Sequence, residues 1–183
     1  RNYPLRFEIR GMQKLLILLC LLLLALPSCA ETAPQVDKPL KYSKSGLTLT
    51  YPGNWKVDSD DNLDGGRVLL LESPDNAIIT IFILGEDDER DLEQIAKDYG
   101  EIFKDSLPED FTTTTISLKA VDDTRWRELF RIDFMGEFVS HTREYKVVRT
   151  GNSRVVFVSQ VASEDRETVL AAFKMIEDSL KLK

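Results

Sequence analysis

"SGLTLTYPGNW", at residues 45–55, sets Leu47, Leu49 and Tyr51 in alternation with Thr48 and Thr50 and then stops at Pro52-Gly53. A period of two predicts an extended strand with one buried face, because successive side chains leave a strand on opposite sides. Proline cannot donate to a ladder and glycine tolerates turn dihedrals, so the pair predicts a tight turn where the strand ends.

Downstream the same period returns. Residues 68–72 form a second apolar run, and 77–84 (AIITIFIL) are almost wholly apolar, as expected of a central strand covered on both faces. Residues 91–107 change period: Leu92, Ile95, Ala96, Tyr99, Ile102 and Phe103 fall at helical spacing, opposite Glu93, Lys97, Asp98 and Glu101. Asp91 is expected to cap this helix, and Gly100 weakens it by about 1 kcal/mol relative to alanine.

Four strand-like segments follow, at 111–120, 126–134, 138–149 and 154–162. Met135-Gly136 and Gly151-Asn152 are turn signals, so the last three predict a meander. Phe130, Ile132 and Phe134 share one strand face, as do Val155, Phe157 and Val161. Ser163 is expected to cap a closing helix striped by Val169, Phe173, Ile176 and Leu180, with Glu164 and Asp165 at its positive end and Lys181 and Lys183 at its negative end. Residues 41–183 thus read as a single α+β domain: an antiparallel sheet of about six to seven strands, ending in a meander, flanked by two main helices.

The quoted stretch and the chain's last helix carry a resemblance. Gly46, Leu47, Leu49, Tyr51, Pro52 and Trp55, with Ser179 and Leu180, are similar to the opening and closing motifs of the PsbP-like fold family, including DcrB-type bacterial lipoproteins. The resemblance implies a PsbP-like α+β fold over 41–183. Photosynthetic members assist the oxygen-evolving complex and bacterial members are envelope proteins, but a shared fold does not transmit a function.

Upstream, residues 15–26 are apolar without a break. About 20 apolar residues cross a bilayer as a helix, so this run is short for a span and fits the core of an export signal. Met12 is the expected start and Lys14 the basic flank, leaving 1–11 ahead of the signal. The run ends Leu26-Pro27-Ser28-Cys29-Ala30, which resembles a bacterial lipoprotein lipobox: Leu26, Ser28 and Cys29 match, while Pro27 departs from the usual residues. That resemblance implies cleavage at the end of 1–28, lipid attachment at Cys29, and a periplasm-facing domain at the outer membrane, since Ala30 rather than aspartate follows. Two or three acyl chains anchor stably where one does not. A conventional secretory signal cleaved nearby is the plainer alternative. Residues 29–40, with two prolines at Pro34 and Pro39 and no periodicity, then read as the lipidated cysteine and a flexible tether.

Beyond residue 28 the chain holds 20 basic and 30 acidic residues, a net charge of −10 that repels nucleic acid. No cysteine follows Cys29, so the body has no disulfide framework. Asp60, Asn62, Asp64 and Gly65 match positions 1, 3, 5 and 6 of an EF-hand loop, but Leu71 stands where its bidentate glutamate belongs. A solvated acidic hairpin loop accounts for the same residues. His141, the only histidine, lacks a serine elbow or further zinc ligands in the body and reads as a surface or hydrogen-bonding strand residue. Trp55 and Trp126 suit core packing better than an exposed binding role. Arg125, Arg127, Arg131, Arg143 and Arg149 form either a basic stripe for an acidic partner or cross-strand pairs with Glu128, Asp133 and Glu144.

These readings lead to a non-enzymatic, lipid-anchored envelope protein that binds other envelope proteins as an accessory or assembly factor, with no cofactor. The alternative is a carrier of a small ligand or ion, using a pocket between sheet and helix or the acidic loop at Asp60.

Overall fold

The computed structural model describes residues 33–63, 66–150 and 153–183. Their elements run β1 (Leu40–Lys44), β2 (Leu47–Tyr51), β3 (Lys56–Leu63), β4 (Gly66–Glu72), β5 (Ile78–Leu84), α1 (Leu92–Ser106), β6 (Phe111–Asp122), β7 (Arg125–Phe134), β8 (Glu137–Thr150), β9 (Ser153–Ala162), α2 (Arg166–Ser179) and β10 (Lys181–Leu182). Seven strands form one antiparallel sheet in the order β3-β4-β5-β9-β8-β7-β6, and β1-β2-β10 form a second. The fold is α+β, as expected, but the strand that opened the sequence reading belongs to the small sheet and not to the large one.

β2 buries Leu47 and Leu49 and exposes the alternate threonines more. Its turn closes with the Trp55 N–H donating to the Pro52 carbonyl at 3.0 Å. Gly53 is required there, because a Cβ would lie 2.3 Å from the Lys38 carbonyl oxygen. That close approach belongs to the segment expected as the end of the tether. The Gly53 N–H donates to the Gln35 carbonyl (3.1 Å), the Gln35 N–H to Asn54 Oδ1 (2.9 Å), and Asn54 Nδ2 to the Ala33 carbonyl (2.8 Å). From Ala33 the chain is therefore docked on the domain, with Val36 against the core.

The large sheet is covered on both faces. On one, α2 and the small sheet enclose Leu69 and Leu71 of β4, Ile79 and Ile81 of β5, and Val155 and Phe157 of β9. On the other, Leu92, Ile95 and Ala96 of α1 pack against Tyr145 of β8 and Val156 and Val158 of β9. β5 and β9 are the strands with both faces apolar, which is why 77–84 reads as an unbroken hydrophobic run. Each fully buried aliphatic side chain contributes about 1.5–3 kcal/mol.

α1 starts as expected, with the Asp91 carboxylate accepting the Gln94 N–H at 2.8 Å. Its predicted stripe runs out early: Ile102 is 67% exposed. Past Gly100 the helix overhangs a gap in the sheet surface. The cap of α2 also differs from expectation. Asp165, not Ser163, precedes the helix, and its carboxylate accepts from Asn76 Nδ2 instead of a helix N–H. Ser163 is engaged elsewhere, its hydroxyl 3.0 Å from that of Thr142. The stripe of α2 is buried as predicted, but Lys181 sits in β10, paired with Thr48, rather than ending the helix.

The Met135-Gly136 turn has φ of +51° and +88°, the doubly positive pattern of a tight hairpin. Gly151-Asn152, the apolar run at 15–26 and Cys29 lie outside the described residues. Among the described residues no helix is long and apolar enough to cross a membrane.

Candidate binding cleft

Strand alternation places a polar row under α1. On β7, Glu128 has the same parity as Trp126 and Phe130 and so points toward the helix side of the sheet. Register sets Arg143 of β8 directly opposite Glu128, and Gln160 of β9 directly opposite Arg143. All three are buried. Arg143 Nη1 donates to Glu128 Oε2 at 2.8 Å and Nε donates to Gln160 Oε1 at 2.8 Å. The Tyr145 hydroxyl donates to the same Glu128 oxygen at 2.8 Å, and Thr115 Oγ1 on β6 donates to Glu128 Oε1 at 3.1 Å. Burial pushes the Tyr145 hydroxyl well above its ordinary pKa, keeping it a neutral donor.

Aromatic rings close round the guanidinium. Its central carbon lies 4.7 Å from the Tyr99 and Phe103 ring centroids and 4.3 Å from that of Phe130. Cation–π attraction and the Glu128 carboxylate together compensate the cost of burying this charge. The row is thus a rigid polar floor within an apolar layer.

Above it, between the C-terminal half of α1 and strands β6–β8, is an open cleft of about 500 Å³. Gly100, Phe103, Thr115, Leu118, Glu128 and Arg143 are among the residues lining it. Gly100 explains itself here: a Cβ would meet nothing nearer than Glu128 Oε1 at 3.8 Å and Arg143 Nη1 at 4.0 Å. The helix tolerates its weakest residue where a side chain would begin to fill the cleft. Gly100→Ala is therefore expected to stabilise the protein by about 1 kcal/mol, read as a raised urea midpoint with unchanged slope.

The residues singled out in the sequence are dispersed. Asp60 and Asn62 lie in β3, paired with Leu69 and Arg67 of β4, because the ladder overrides the turn preference of their composition. Asp64 lies outside the described residues. The Asp60 carboxylate is occupied by protein cations: Arg67 Nε and Nη2 donate to it at 2.7 and 3.0 Å, Lys44 Nζ is 2.6 Å away, and the Tyr42 hydroxyl bonds it as well. Among the described residues no group of three or more His, Cys, Asp or Glu side chains gathers as a metal site.

Hydrogen bonds from Arg67 hold the Asp60 carboxyl well below the usual carboxylate range. A lowered folded-state pKa contributes stability above the unfolded value of about 3.9 and loses it as pH falls through the folded value. Asp60→Asn is accordingly expected to cost roughly 1.5–3 kcal/mol at pH 7. The gap from the parent should narrow as the thermal melts are taken from pH 5 down to pH 2. A gap unchanged across that range would contradict the assignment.

His141 is buried in β8, its ring stacked on Phe130 with centroids 5.3 Å apart and its Nδ1 3.1 Å from the Val139 carbonyl. Burial lowers its pKa. Trp55 is in the core and Trp126 is half-buried against the second cluster. The arginines pair across strands: Arg127 with Glu144 (2.7 Å), Arg143 with Glu128 (2.8 Å), and within β7 Arg131 with Asp133 (3.1 Å). What sequence reasoning missed is that one of these pairs faces inward. The signal was present: Glu128 interrupts the apolar face of Trp126 and Phe130, and Arg143 stands between His141 and Tyr145 on the inner face of β8.

No family model and no curated protein matches the chain. Among solved structures it is similar to cyanobacterial PsbP (CyanoP) from Synechocystis sp. PCC 6803, at 15% identity and a TM-score of 0.49, covering 86% of this chain and 99% of that one. It is also similar to LpqN, involved in cell envelope biogenesis of Mycobacterium tuberculosis, at 14% identity and a TM-score of 0.34, covering 80% of this chain and 90% of that one. Neither similarity bears on function.

Proposed function

We propose that the chain is a lipid-anchored, periplasm-facing protein of the cell envelope, held at the outer membrane through Cys29, that works by binding as an accessory or assembly factor rather than by catalysis. The lipobox-like Leu26-Pro27-Ser28-Cys29 supports the anchor. The observation that carries a binding role is the cleft under α1, whose floor is fixed by hydrogen bonds to the framework. Glu128 accepts from Arg143, Tyr145 and Thr115, an arrangement suited to holding shape.

Two measurements test this reading. Labelled palmitate should enter the parent chain and not Cys29→Ala, and crosslinking in the native envelope should recover one defined partner protein. A water-soluble exported form starting at another residue would overturn the anchor. The cleft also favours a second reading, a binder of a small ligand, because it is concave and sets Phe103, Leu118 and Phe130 beside polar groups from α1 and three strands.

A further inference from the structure

One row of residues crosses the large sheet: Lys56, Glu72, Ile78, Gln160, Arg143 and Glu128 stand side by side on β3, β4, β5, β9, β8 and β7. Past that row β9 ends at Ala162, opposite His141, while β7 and β8, with β6 beside them, run on to Phe134, Glu137 and Phe111. The residues from His141 back to Glu137 carry the β7–β8 turn about 14 Å beyond the end of β9. This protruding tip is apolar: Phe134 is 39% exposed, Met135 85%, Phe138 59% and Val139 47%. Strand parity puts Phe134 and Val139 on the α1 face of the sheet and Phe138, opposite Asp133, on the other, with Met135 in the turn between them. Phe111 stacks on Phe134 with ring centroids 4.4 Å apart, which stiffens the tip without covering it.

The same end of the sheet receives the chain from its amino-terminal side. Gly53 and Asn54, which hold Gln35 and Ala33, lie three and two residues ahead of Lys56. Cys29 is four residues upstream of Ala33, and four residues extend at most about 14 Å. A domain tied to a bilayer at Cys29 therefore keeps this end close to the lipid, within about the distance by which the tip protrudes. Docking on a folded partner uses one face, whereas apolar side chains on both faces and at the end of a projection suit a medium that surrounds them. Glu137 at the tip and the net charge of −10 beyond residue 28 repel anionic head groups, so apolar burial has to supply the attraction. We propose that the β7–β8 tip inserts Phe134, Met135 and Phe138 into the interface of a zwitterionic lipid surface and so fixes how the domain stands on its membrane. This rests on the Cys29 anchor and adds a second membrane contact to it.

The test uses the acylated chain in vesicles of phosphatidylethanolamine and phosphatidylcholine that carry a nitroxide on a shallow acyl carbon. Removal of the signal takes away Cys20, and acylation occupies the Cys29 sulfur, so Met135→Cys bears the one reactive thiol and takes a single fluorescent label. Asp123→Cys, in the exposed turn at the opposite end of β7, is the control. Both variants should keep the parent's melting temperature. The label at 135 is expected to be quenched at least about twofold and the label at 123 by less than about a tenth, since interfacial insertion reaches about 5–10 Å. Adding Phe138→Asp should remove the quenching at 135 while the chain stays with the vesicles. An acylated chain whose 135 label is quenched no more than its 123 label would overturn the proposal and leave the anchor standing. So would quenching that survives Phe138→Asp, or a 135 label shielded in native envelopes but not in vesicles, which would assign the tip to a protein. A second label on a free Cys29, read by mass, would overturn the anchor and the proposal together.

Discussion

Glu128→Gln is expected to lower the unfolding free energy by about 3–5 kcal/mol, the cost of leaving a buried charge without its partner. The Arg143 side chain is 1% exposed and that of Glu128 5%, so water cannot replace the lost carboxylate. The glutamine carbonyl can still accept from Tyr145 and Arg143 while its amide nitrogen donates to the Thr115 hydroxyl, which isolates the effect of charge from that of shape. Removing both charges at once should cost far less: Glu128→Leu with Arg143→Met swaps the pair for apolar groups, and such replacements are commonly neutral or stabilising. The pair of results, read as urea midpoints at constant slope, distinguishes a buried ion pair from a solvated one. A loss below about 1 kcal/mol for Glu128→Gln alone would mean that the row is wet.

Trp55→Ala is expected to cost a similar 3–5 kcal/mol, by a different route. Trp55 is 3% exposed and meets Phe173 of α2 edge-on, with ring centroids 6.0 Å apart. Truncation opens a cavity where the turn after β2 meets the closing helix. Its indole Nε1 has no hydrogen-bond partner among the described residues, so Trp55→Phe gives up no bond and should cost below about 1.5 kcal/mol beyond the lost volume. A phenylalanine variant as unstable as the alanine one would show that the indole nitrogen matters after all.

Periodicity made much of this fold legible. The apolar runs at 68–72 and 77–84, the helical spacing after Asp91 and the meander turns all reflect burial on one face or two, and burial leaves a period in the sequence. β1 (LKYSK) left none: it is an edge strand with little buried, held by main-chain pairing to β2. β3 looked like a loop because Asp60, Asp61 and Asn62 favour turns, while the ladder to β4 and the Arg67 contact decide otherwise. The second sheet was out of reach for the same reason, since backbone hydrogen bonds carry no side-chain signature. For the cleft, the inward parity of Glu128 and Arg143 could be read, and their pairing was one of two stated explanations for the arginines. The overhang of α1 that opens space above them depends on where a helix axis lies, which spacing along the chain does not encode.

β9 has a consequence for how the molecule assembles. It is the strand between β5 and β8, so the hairpins made first have no lateral neighbour until residues 153–162 have been synthesised. The join is antiparallel and highly non-local, with Ile81 facing Phe157. Chains whose contacts span such distances close slowly, because loop entropy is lost before the contacts reward it. Until then the Ile-rich flank of β5 is an unprotected template for other chains. Completion is therefore a late, C-terminal event, and the interval before it is when this protein most needs a chaperone.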